Sequence, residues 1–449
     1  MQSFELIVIG TGSAGKTVAE AVREAGKSVA IIDKLPFGGT CSQRGCDPKK
    51  VLVGAAEIVA RSEQLIGKGI RTKAAINWAD LMQFKKTFTE SVPKKTEKQF
   101  AGQGMTLFHG AATFLSPTSV RVGNDDLEAK HIVVATGQRP KPLNIPGEEL
   151  LTNSSDFLEL TQLPKKIVMI GGGYIAFEFA HVAARAGSNV TILHQGKRPL
   201  ENFDGDVVKL LVKAMEAIGI QLVLNANVTA INRKGTNLKV QYKQQGKMHT
   251  MSTQLVVHGA GRVADVGELA LDQANVLIDE KGILVNKYLQ STSNPAVYAC
   301  GDVANKGLPL TPLASYDGRI VAENILKGNQ KTFVDNPVPS AVFTVPPMAS
   351  VGLTEEQAKK QGLNVNVTFQ ETADWYVSRR INESFTGFKT LVDAKTGQIV
   401  GAHLLGSGCD ELINLFTVAM KHQISAKELG DTLFAYPTHT SDLKSMLPD

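Results

Sequence analysis

The chain of 449 residues has only four cysteines, no run of about 18 consecutive apolar residues and no long block of charge of one sign. Each shortage removes a class of protein. A secreted disulfide framework packs cysteine densely into a short chain, and four thiols in so long a chain do not make one. Lacking an apolar run of spanning length, the sequence offers no transmembrane helix. Its 48 basic and 43 acidic residues leave a net +5 spread along the chain, so the concentrated basic stripe of a nucleic-acid binder is missing. Residues 4–9, FELIVI, already read as a buried strand, so no basic, apolar, cleavable leader is expected. The expectation is a soluble, cytoplasmic protein that binds neither nucleic acid nor membrane.

Glycine is plentiful, at 41 residues, and its placement is patterned. Residues 4–33, FELIVIGTGSAGKTVAEAVREAGKSVAIID, and residues 166–194, KIVMIGGGYIAFEFAHVAARAGSNVTILH, share one order: apolar strand, Gly-rich turn, Ala-rich amphipathic helix, second apolar strand. Each predicts a βαβ unit, and two such units imply two dinucleotide sites, because one mononucleotide-binding fold receives one cofactor. In the first, Gly10, Gly12 and Gly15 form a GxGxxG fingerprint, which lets the backbone approach a pyrophosphate at a helix N-terminus. Asp33 closes the second strand, where an acid hydrogen-bonds a ribose diol. In the second unit Gly171, Gly173 and Ala176 repeat the fingerprint, with Ala at its last position. Here the strand ends in His194 rather than an acid, with Lys197 and Arg198 close behind. Cations there suit the 2′-phosphate of NADPH over NADH; a solvated basic loop is the bland alternative.

Cys41 and Cys46 stand four residues apart internally in GGTCSQRGCDPKK, near a predicted helix start with Lys49 and Lys50. Two thiols at that spacing can close a disulfide, and a helix N-terminus with nearby cations favours a thiolate. The alternatives are half of a zinc site or two unrelated thiols. No second close pair of Cys or His completes four ligands, so no metal site is expected. Cys300 and Cys409 read as small packed residues.

At roughly 100 to 200 residues per domain, about three domains are expected. Residues 48–105 read as helical, and IVVATG is a strand leading to a Pro-rich connection near Pro146. TPLASYDGRIVAENIL is a helix. From about Thr332 the strand candidates SAVFTV, FKTLVDA and IVGAHLLG precede two helical stretches, the pattern of an α+β domain.

The motifs GTGSAG, GGTCSQRGC, ATGQRP, GGGYIAFE, GAGR, CGD, LTPLA and FTVPPMASVGLTE follow in that order over nearly the whole chain. Together they resemble the class I pyridine nucleotide-disulfide oxidoreductases, the family of glutathione reductase, dihydrolipoamide dehydrogenase and mercuric reductase. The resemblance implies an α/β fold of two Rossmann-like dinucleotide-binding domains, for FAD and NAD(P), plus a C-terminal α+β dimerisation domain. On it, residues 1–146 and 265–331 would bind FAD, 147–264 would bind NAD(P), and 332–449 would form the dimer. It further implies a homodimeric FAD enzyme that passes electrons from NADPH, with NADH the lesser candidate, through flavin and the Cys41–Cys46 disulfide to a small disulfide. Cys41 becomes the thiol that attacks substrate, and Cys46 the one beside the flavin. Lys50, or its neighbour Lys49, would pair with Glu178 near flavin N5, and Tyr174, with Ile175 next to it, would lie over the nicotinamide pocket. Further cofactor contacts are carried onto Ser13, Ala14, Lys34, Gly39, Thr40, Ala111, Ala135, Thr136, Gly137, Gly261, Arg262, Gly301, Asp302, Leu310, Thr311 and Pro312.

One stretch departs from the family. Most of its disulfide reductases end in His-Pro-Thr, with a Glu three residues after the Thr; residues 435–442 here read AYPTHTSD. Tyr436 stands at the His and Ser441 at the Glu. A phenol donates a proton but is a poor general base at neutral pH. His439, oriented by Asp442, is the second acid–base candidate, with a capping or packing role as its alternative. Glu20 stands where glutathione reductases carry an Arg for the substrate carboxylate, which weakens the case for glutathione. Two other functions stay open. One is an NAD(P)H flavoenzyme reducing a quinone, a metal ion or a lipoamide-type acceptor, with the cysteines as relay or sensor. The other is a non-catalytic redox sensor, against which stand the two fingerprints, the thiol pair, Glu178 and Asp302.

Overall fold

A computed structural model of the chain describes residues 1–333 and 336–448. The chain divides into two compact units, each assembled from three separate segments. The first comprises Met1–Lys49, Phe84–Lys141 and Gly261–Asp335; the second comprises Lys50–Gln83, Pro142–Ala260 and Asn336–Asp449.

The first unit is built on a seven-stranded sheet in the order Thr106–His109, Val29–Asp33, Gln2–Ile9, Asp125–Val134, Ser119–Val122, Ala112–Ser116, with Val297–Ala299 added beside Asp125–Val134. Gln2–Ile9 pairs in parallel with Val29–Asp33 from Leu6↔Val29 to Ile9↔Ile32, as the first βαβ pattern predicts. The run Leu6 to Ile9 is apolar throughout because both faces of a parallel sheet are covered. Alternation then divides it between two cores. Leu6 and Val8 pack with Val18, Val22 and Ile320, while Ile7 and Ile9 pack with Ile32, Ile132 and Val303 on the other face. The helices Ser13–Glu24 and Thr311–Lys327 supply the first of these covers.

In the second unit a parallel sheet runs Gln221–Val223, Asn189–Leu193, Lys166–Ile170, Leu255–His258. It carries a three-stranded antiparallel meander, Ala226–Lys234, Asn237–Gln244 and Lys247–Thr253, which the sequence reading did not anticipate. C-terminal to these, an antiparallel sheet follows the order Ser340–Val342, Met348–Gly352, Ile399–Leu405, Gly387–Asp393, Val365–Glu371. Helices Cys409–Lys421 and Ala426–Gly430 bury Leu412, Phe416 and Leu429 against it, giving the expected α+β texture. The region expected to be helical holds Cys46–Gln64, Trp78–Thr89 and Val92–Gly102. Among the described residues, no helix is long and apolar enough to cross a membrane.

Candidate active site

The first unit gathers most of the residues assigned to FAD. Gly10 has φ +110°, and a Cβ there would overlap the Ala135 carbonyl oxygen, so the turn accepts only glycine. Ser13 and Ala14 open the helix Ser13–Glu24, whose N-cap, Gly12, offers no side chain. The first N–H groups of that helix are therefore available to an anion. Asp33 is aimed by its own neighbours: Oδ2 accepts from the Thr11 amide at 2.9 Å and the Thr11 hydroxyl at 2.6 Å, and Oδ1 from the Leu35 amide at 3.0 Å. Lys34 is engaged by Glu268 and Asp265, at 2.5 and 3.2 Å.

Ala135, Thr136 and Gly137 leave the end of the strand Asp125–Val134, and the Thr136 hydroxyl is buried without a hydrogen-bond partner. Gly301 and Asp302 form a short turn after Val297–Ala299. Burial pushes the Asp302 carboxyl up, against the charge of Arg262. Arg262 itself donates to the Gln138 carbonyl, beside Gly261. Ala111 lies exposed between two strands. A side-chain-free helix start, an orphaned buried hydroxyl and an acid at the next strand end are the features an FAD site needs, and these residues fit one.

The thiols lie in the same unit. Gly38, in the left-handed region, opens the helix Gly39–Arg44, which holds Thr40 and Cys41. Gly45 separates it from the helix Cys46–Gln64, so Cys46 is a first-turn residue, as expected. A Cβ on Gly39 (φ +74°) would overlap Gly12 Cα, which means the thiol-bearing helix starts directly on the nucleotide turn. Both cysteines are free thiols, Cys41 half-buried and Cys46 exposed. Cys46 Sγ lies 3.6 Å from the hydroxyl of Thr311, first residue of the helix Thr311–Lys327; Leu310 is its N-cap and Pro312 its second residue. The hydrogen bond with Cys41, then the Thr311 hydroxyl and the Lys49 charge, bring Cys46 down to about 6 against the effect of burial. Cys41 is pushed up by that same bond, by burial, and by the charges of Cys46 and Asp47. At neutral pH the pair is one thiolate and one thiol. Cys41 also donates to Asp47 Oδ1 across 3.9 Å. Sequence reasoning passed over Asp47, although its place directly after Cys46 was the available signal.

In the second unit, Gly171 (φ +106°) approaches the backbone of Gly259, and Gly173 caps the helix Tyr174–Arg185 without a side chain. Tyr174 is the exposed first residue of this helix, with Ile175 half-buried behind it. Glu178 is 3% exposed, and its Oε1 accepts from the Phe343 amide at 2.8 Å. Lys50 does not serve as the partner of Glu178, which corrects half of the Lys50-or-Lys49 expectation. Its Nζ lies 3.3 Å from Asp410, 3.7 Å from Glu57 and 4.2 Å from the centre of the Phe343 ring. The cause is helical: adjacent residues diverge by about 100°, whereas residues seven apart, such as Lys50 and Glu57, share a face.

His194 and Arg198 have structural duties that the sequence did not disclose. His194 Nε2 is 2.9 Å from the Arg198 carbonyl and 3.7 Å from the Glu201 carboxylate, and the Arg198 guanidinium donates to the carbonyls of Phe203 and Glu201. Lys197 is exposed. Tyr436 is 79% exposed. His439, by contrast, is half-buried with its ring against Gly408, and burial followed by the charge of Arg380 holds it below the usual imidazole range. Cys300 and Cys409 are both buried, the latter donating to the Pro347 carbonyl at 3.0 Å.

Two nucleotide turns, one thiolate–thiol pair and an antiparallel C-terminal sheet define a nucleotide-dependent dithiol oxidoreductase. Residues 4–318 match the family model described as pyridine nucleotide-disulphide oxidoreductase, and residues 338–447 match that family's dimerisation domain. The chain belongs to this family. It is 32% identical to a glutathione reductase of Burkholderia cepacia over 97% of this chain and 96% of that one. With a mercuric reductase of Staphylococcus aureus it shares 30% identity over 98% of this chain and 81% of the relative. The solved Cu(II) complex of the HOCl-induced flavoprotein disulfide reductase RclA from Escherichia coli superposes with a TM-score of 0.89 at 29% identity, over 99% of both chains. The protein is an FAD-dependent oxidoreductase of the flavoprotein disulfide reductase type that uses NAD(P)H.

Proposed function

We propose that the chain carries two electrons from NADPH through FAD to the Cys41–Cys46 pair and on to a small disulfide. The observation that carries this reading is the asymmetry of the pair: Cys46 a thiolate beside the Thr311 hydroxyl and Lys49, Cys41 a protonated, half-buried thiol. Cys41 attacks the substrate disulfide, and Cys46 then attacks the Cys41 sulfur, closing the intramolecular disulfide and expelling the second substrate thiol. FAD, when bound, supplies the two-electron chemistry that reopens that disulfide.

Within the first unit the turn from Gly10 to Gly15 would hold the FAD pyrophosphate and Asp33 a ribose, with Gly39, Thr40, Thr136, Gly137, Gly301 and Asp302 along the remainder. Within the second, the Gly171–Gly173 turn would hold the pyrophosphate of NADPH, and Tyr174 would cover the nicotinamide. The exposed ammonium of Lys197 would meet the 2′-phosphate, backed by His194 and the remaining donors of Arg198. The Glu201 carboxylate opposes that contact, so NADPH selectivity rests mainly on Lys197. Tyr436 and His439, in the segment matching the dimerisation domain, would act in a homodimer. A working thiol pair suits a reducing compartment, and the cytoplasm is the proposed location.

A metal ion is the second acceptor worth testing. Two neighbouring thiols offer soft donors to a metal ion such as Hg(II), and the mercuric reductase and the Cu(II)-complexed reductase are among the similar proteins. The test is oxidation of NADPH and NADH with oxidised glutathione, lipoamide, cystine, Hg(II), Cu(II) and a quinone, in the native protein and in Cys41→Ser. Disulfide turnover that disappears in Cys41→Ser is expected. Turnover of a quinone or metal alone, unchanged in the variant, overturns the disulfide reading.

A further inference from the structure

The thiol chemistry leaves one proton to be placed. In the reduced pair it sits on Cys41, whose Sγ donates to Asp47 Oδ1 at 3.9 Å, while Cys46 has the Thr311 hydroxyl as its oxygen partner. The two sulfurs share the proton in their mutual hydrogen bond and both meet the Thr311 hydroxyl; the Asp47 carboxylate stands on the Cys41 side, within hydrogen-bond reach of that sulfur. When Cys41 attacks a disulfide it must give up its proton, and the departing alkyl thiolate must gain one. Asp47 occupies the second position of the helix Cys46–Gln64, which fixes its carboxylate at the end of the helix where both sulfurs lie. It is exposed, and so open to an incoming substrate. The contact is long, and in ligand-free proteins catalytic hydrogen bonds often tighten only when substrate is bound. The phenol at position 436, where the family's histidine is expected, is a poor proton acceptor, which leaves room for a carboxylate beside Cys41.

We propose that Asp47 is the proton carrier of disulfide reduction, a catalytic residue that rests on the disulfide reading given above. As Cys41 Sγ attacks R–S–S–R′, Asp47 Oδ1 takes the Sγ proton; the Cys41–S–S–R bond forms and the substrate S–S bond breaks. The carboxylic acid returns its proton to R′S⁻, which leaves as R′SH. Cys46 thiolate then attacks the Cys41 sulfur, closing the Cys41–Cys46 disulfide and expelling RS⁻. The pair has lost two electrons, the substrate has gained them, and Asp47 ends as it began.

Return of the proton is needed when the leaving thiolate is basic and dispensable when it is not, whereas removal of the Cys41 proton is needed with either substrate. The full-length, FAD-loaded protein is therefore reduced with stoichiometric NADPH and mixed rapidly with either oxidised 2-mercaptoethanol, a dialkyl disulfide, or an aromatic nitrothiobenzoate disulfide. Native protein, Asp47→Asn, Asp47→Glu and Cys41→Ser are compared, with iodoacetamide alkylation of the reduced pair as a readout independent of turnover. For Asp47→Asn the expected result is a loss of about 100-fold with the dialkyl disulfide. A smaller loss with the aromatic one, where only the deprotonation of Cys41 is affected, alkylation at least as fast as native, and partial recovery in Asp47→Glu complete the expected pattern. Equal losses with both disulfides mean a merely structural role and overturn the proposal, and so does an unchanged or faster reaction with both, which leaves Asp47 as a bystander charge. If Cys41→Ser reacts as fast as the native protein, the disulfide reading itself fails, and that result is separate from anything Asp47→Asn shows.

Discussion

Cys46 Sγ and Thr311 Oγ1 lie 3.6 Å apart, joining the first residue of one helix to the first residue of another, 265 positions away in sequence. Each helix brings the positive end of its dipole to the sulfur, and the hydroxyl adds a hydrogen bond to the thiolate. A hydrogen bond to a charged group contributes about 1.5–3 kcal/mol, which corresponds to at least about one pKa unit. Thr311→Val, nearly isosteric, is expected to raise Cys46 from about 6 by roughly that unit. The pH dependence of iodoacetamide inactivation of the reduced protein reads it directly. An unmoved midpoint would assign the thiolate to Cys41, Lys49 and the helices alone.

The same thiolate makes the reduced protein sensitive to acid. Cys46 falls from an ordinary 9.0 to about 6 on folding, so the folded state favours the deprotonated form. Its contribution to stability is complete above about pH 9 and is lost as the pH falls through about 6. Between pH 8 and pH 5 the melting temperature of the reduced protein should therefore fall further than that of Cys46→Ser. Parallel curves for the two would show that the folded state gains nothing from the thiolate.

Lys389 is buried in the second unit with three carboxylates around it: Asp206 at 2.6 Å, Glu355 at 2.8 Å and Asp204 at 3.2 Å. Hydrogen bonds from Lys389 and Lys209 bring Asp206 down to about 2. Lys389→Met leaves Asp204, itself 3% exposed, without its cation, and should cost about 3–5 kcal/mol at neutral pH in urea unfolding. The deficit should shrink toward pH 4, where the orphaned carboxylates of the variant take up protons, whereas native Asp206 keeps its contribution until the pH falls through about 2. A loss below about 1 kcal/mol would mean that packing, not charge, holds the cluster.

Gly39→Ala introduces a Cβ at φ +74° that overlaps Gly12 Cα, so either the thiol-bearing helix or the nucleotide turn must move. The left-handed conformation alone costs about 1–2 kcal/mol with a side chain. The expected outcome is protein purified with reduced flavin absorbance and a lowered melting temperature. Gly54→Ala is the control: it lies inside the helix Cys46–Gln64 with no atom within 4 Å of a new Cβ, and should be neutral or stabilising by up to about 1 kcal/mol. Full flavin content in Gly39→Ala would show that the turn yields without losing its cofactor.

Local pattern was enough to make much of this protein legible. Leu6 to Ile9 and Ile167 to Ile170 are apolar strands followed by glycine turns and Ala-rich helices, and a βαβ unit is specified almost entirely by neighbours in sequence. The thiol pair at a helix start was readable for the same reason. The meander Ala226–Lys234, Asn237–Gln244, Lys247–Thr253 was not, because its strands are rich in polar residues, only Asn237–Gln244 shows a regular alternation that buries Leu238, Val240 and Tyr242, and the pairing depends on register rather than on an apolar run. Nor did the basic residues after His194 announce that Arg198 would bind carbonyls of its own loop.

Two nucleotide turns, a redox-capable pair of cysteines and an α+β C-terminal region are written in local sequence, since each is a short-range pattern of side-chain size and polarity. Tertiary structure alone decided which cysteine is the thiolate, where Lys50 points and which acid faces Cys41. Those outcomes depend on distances of a few ångströms between groups that folding brings together: Thr311 to Cys46, Asp410 to Lys50, and Asp47 to Cys41. Charge and hydrogen bonding change steeply over such distances, and spacing along the chain does not encode them.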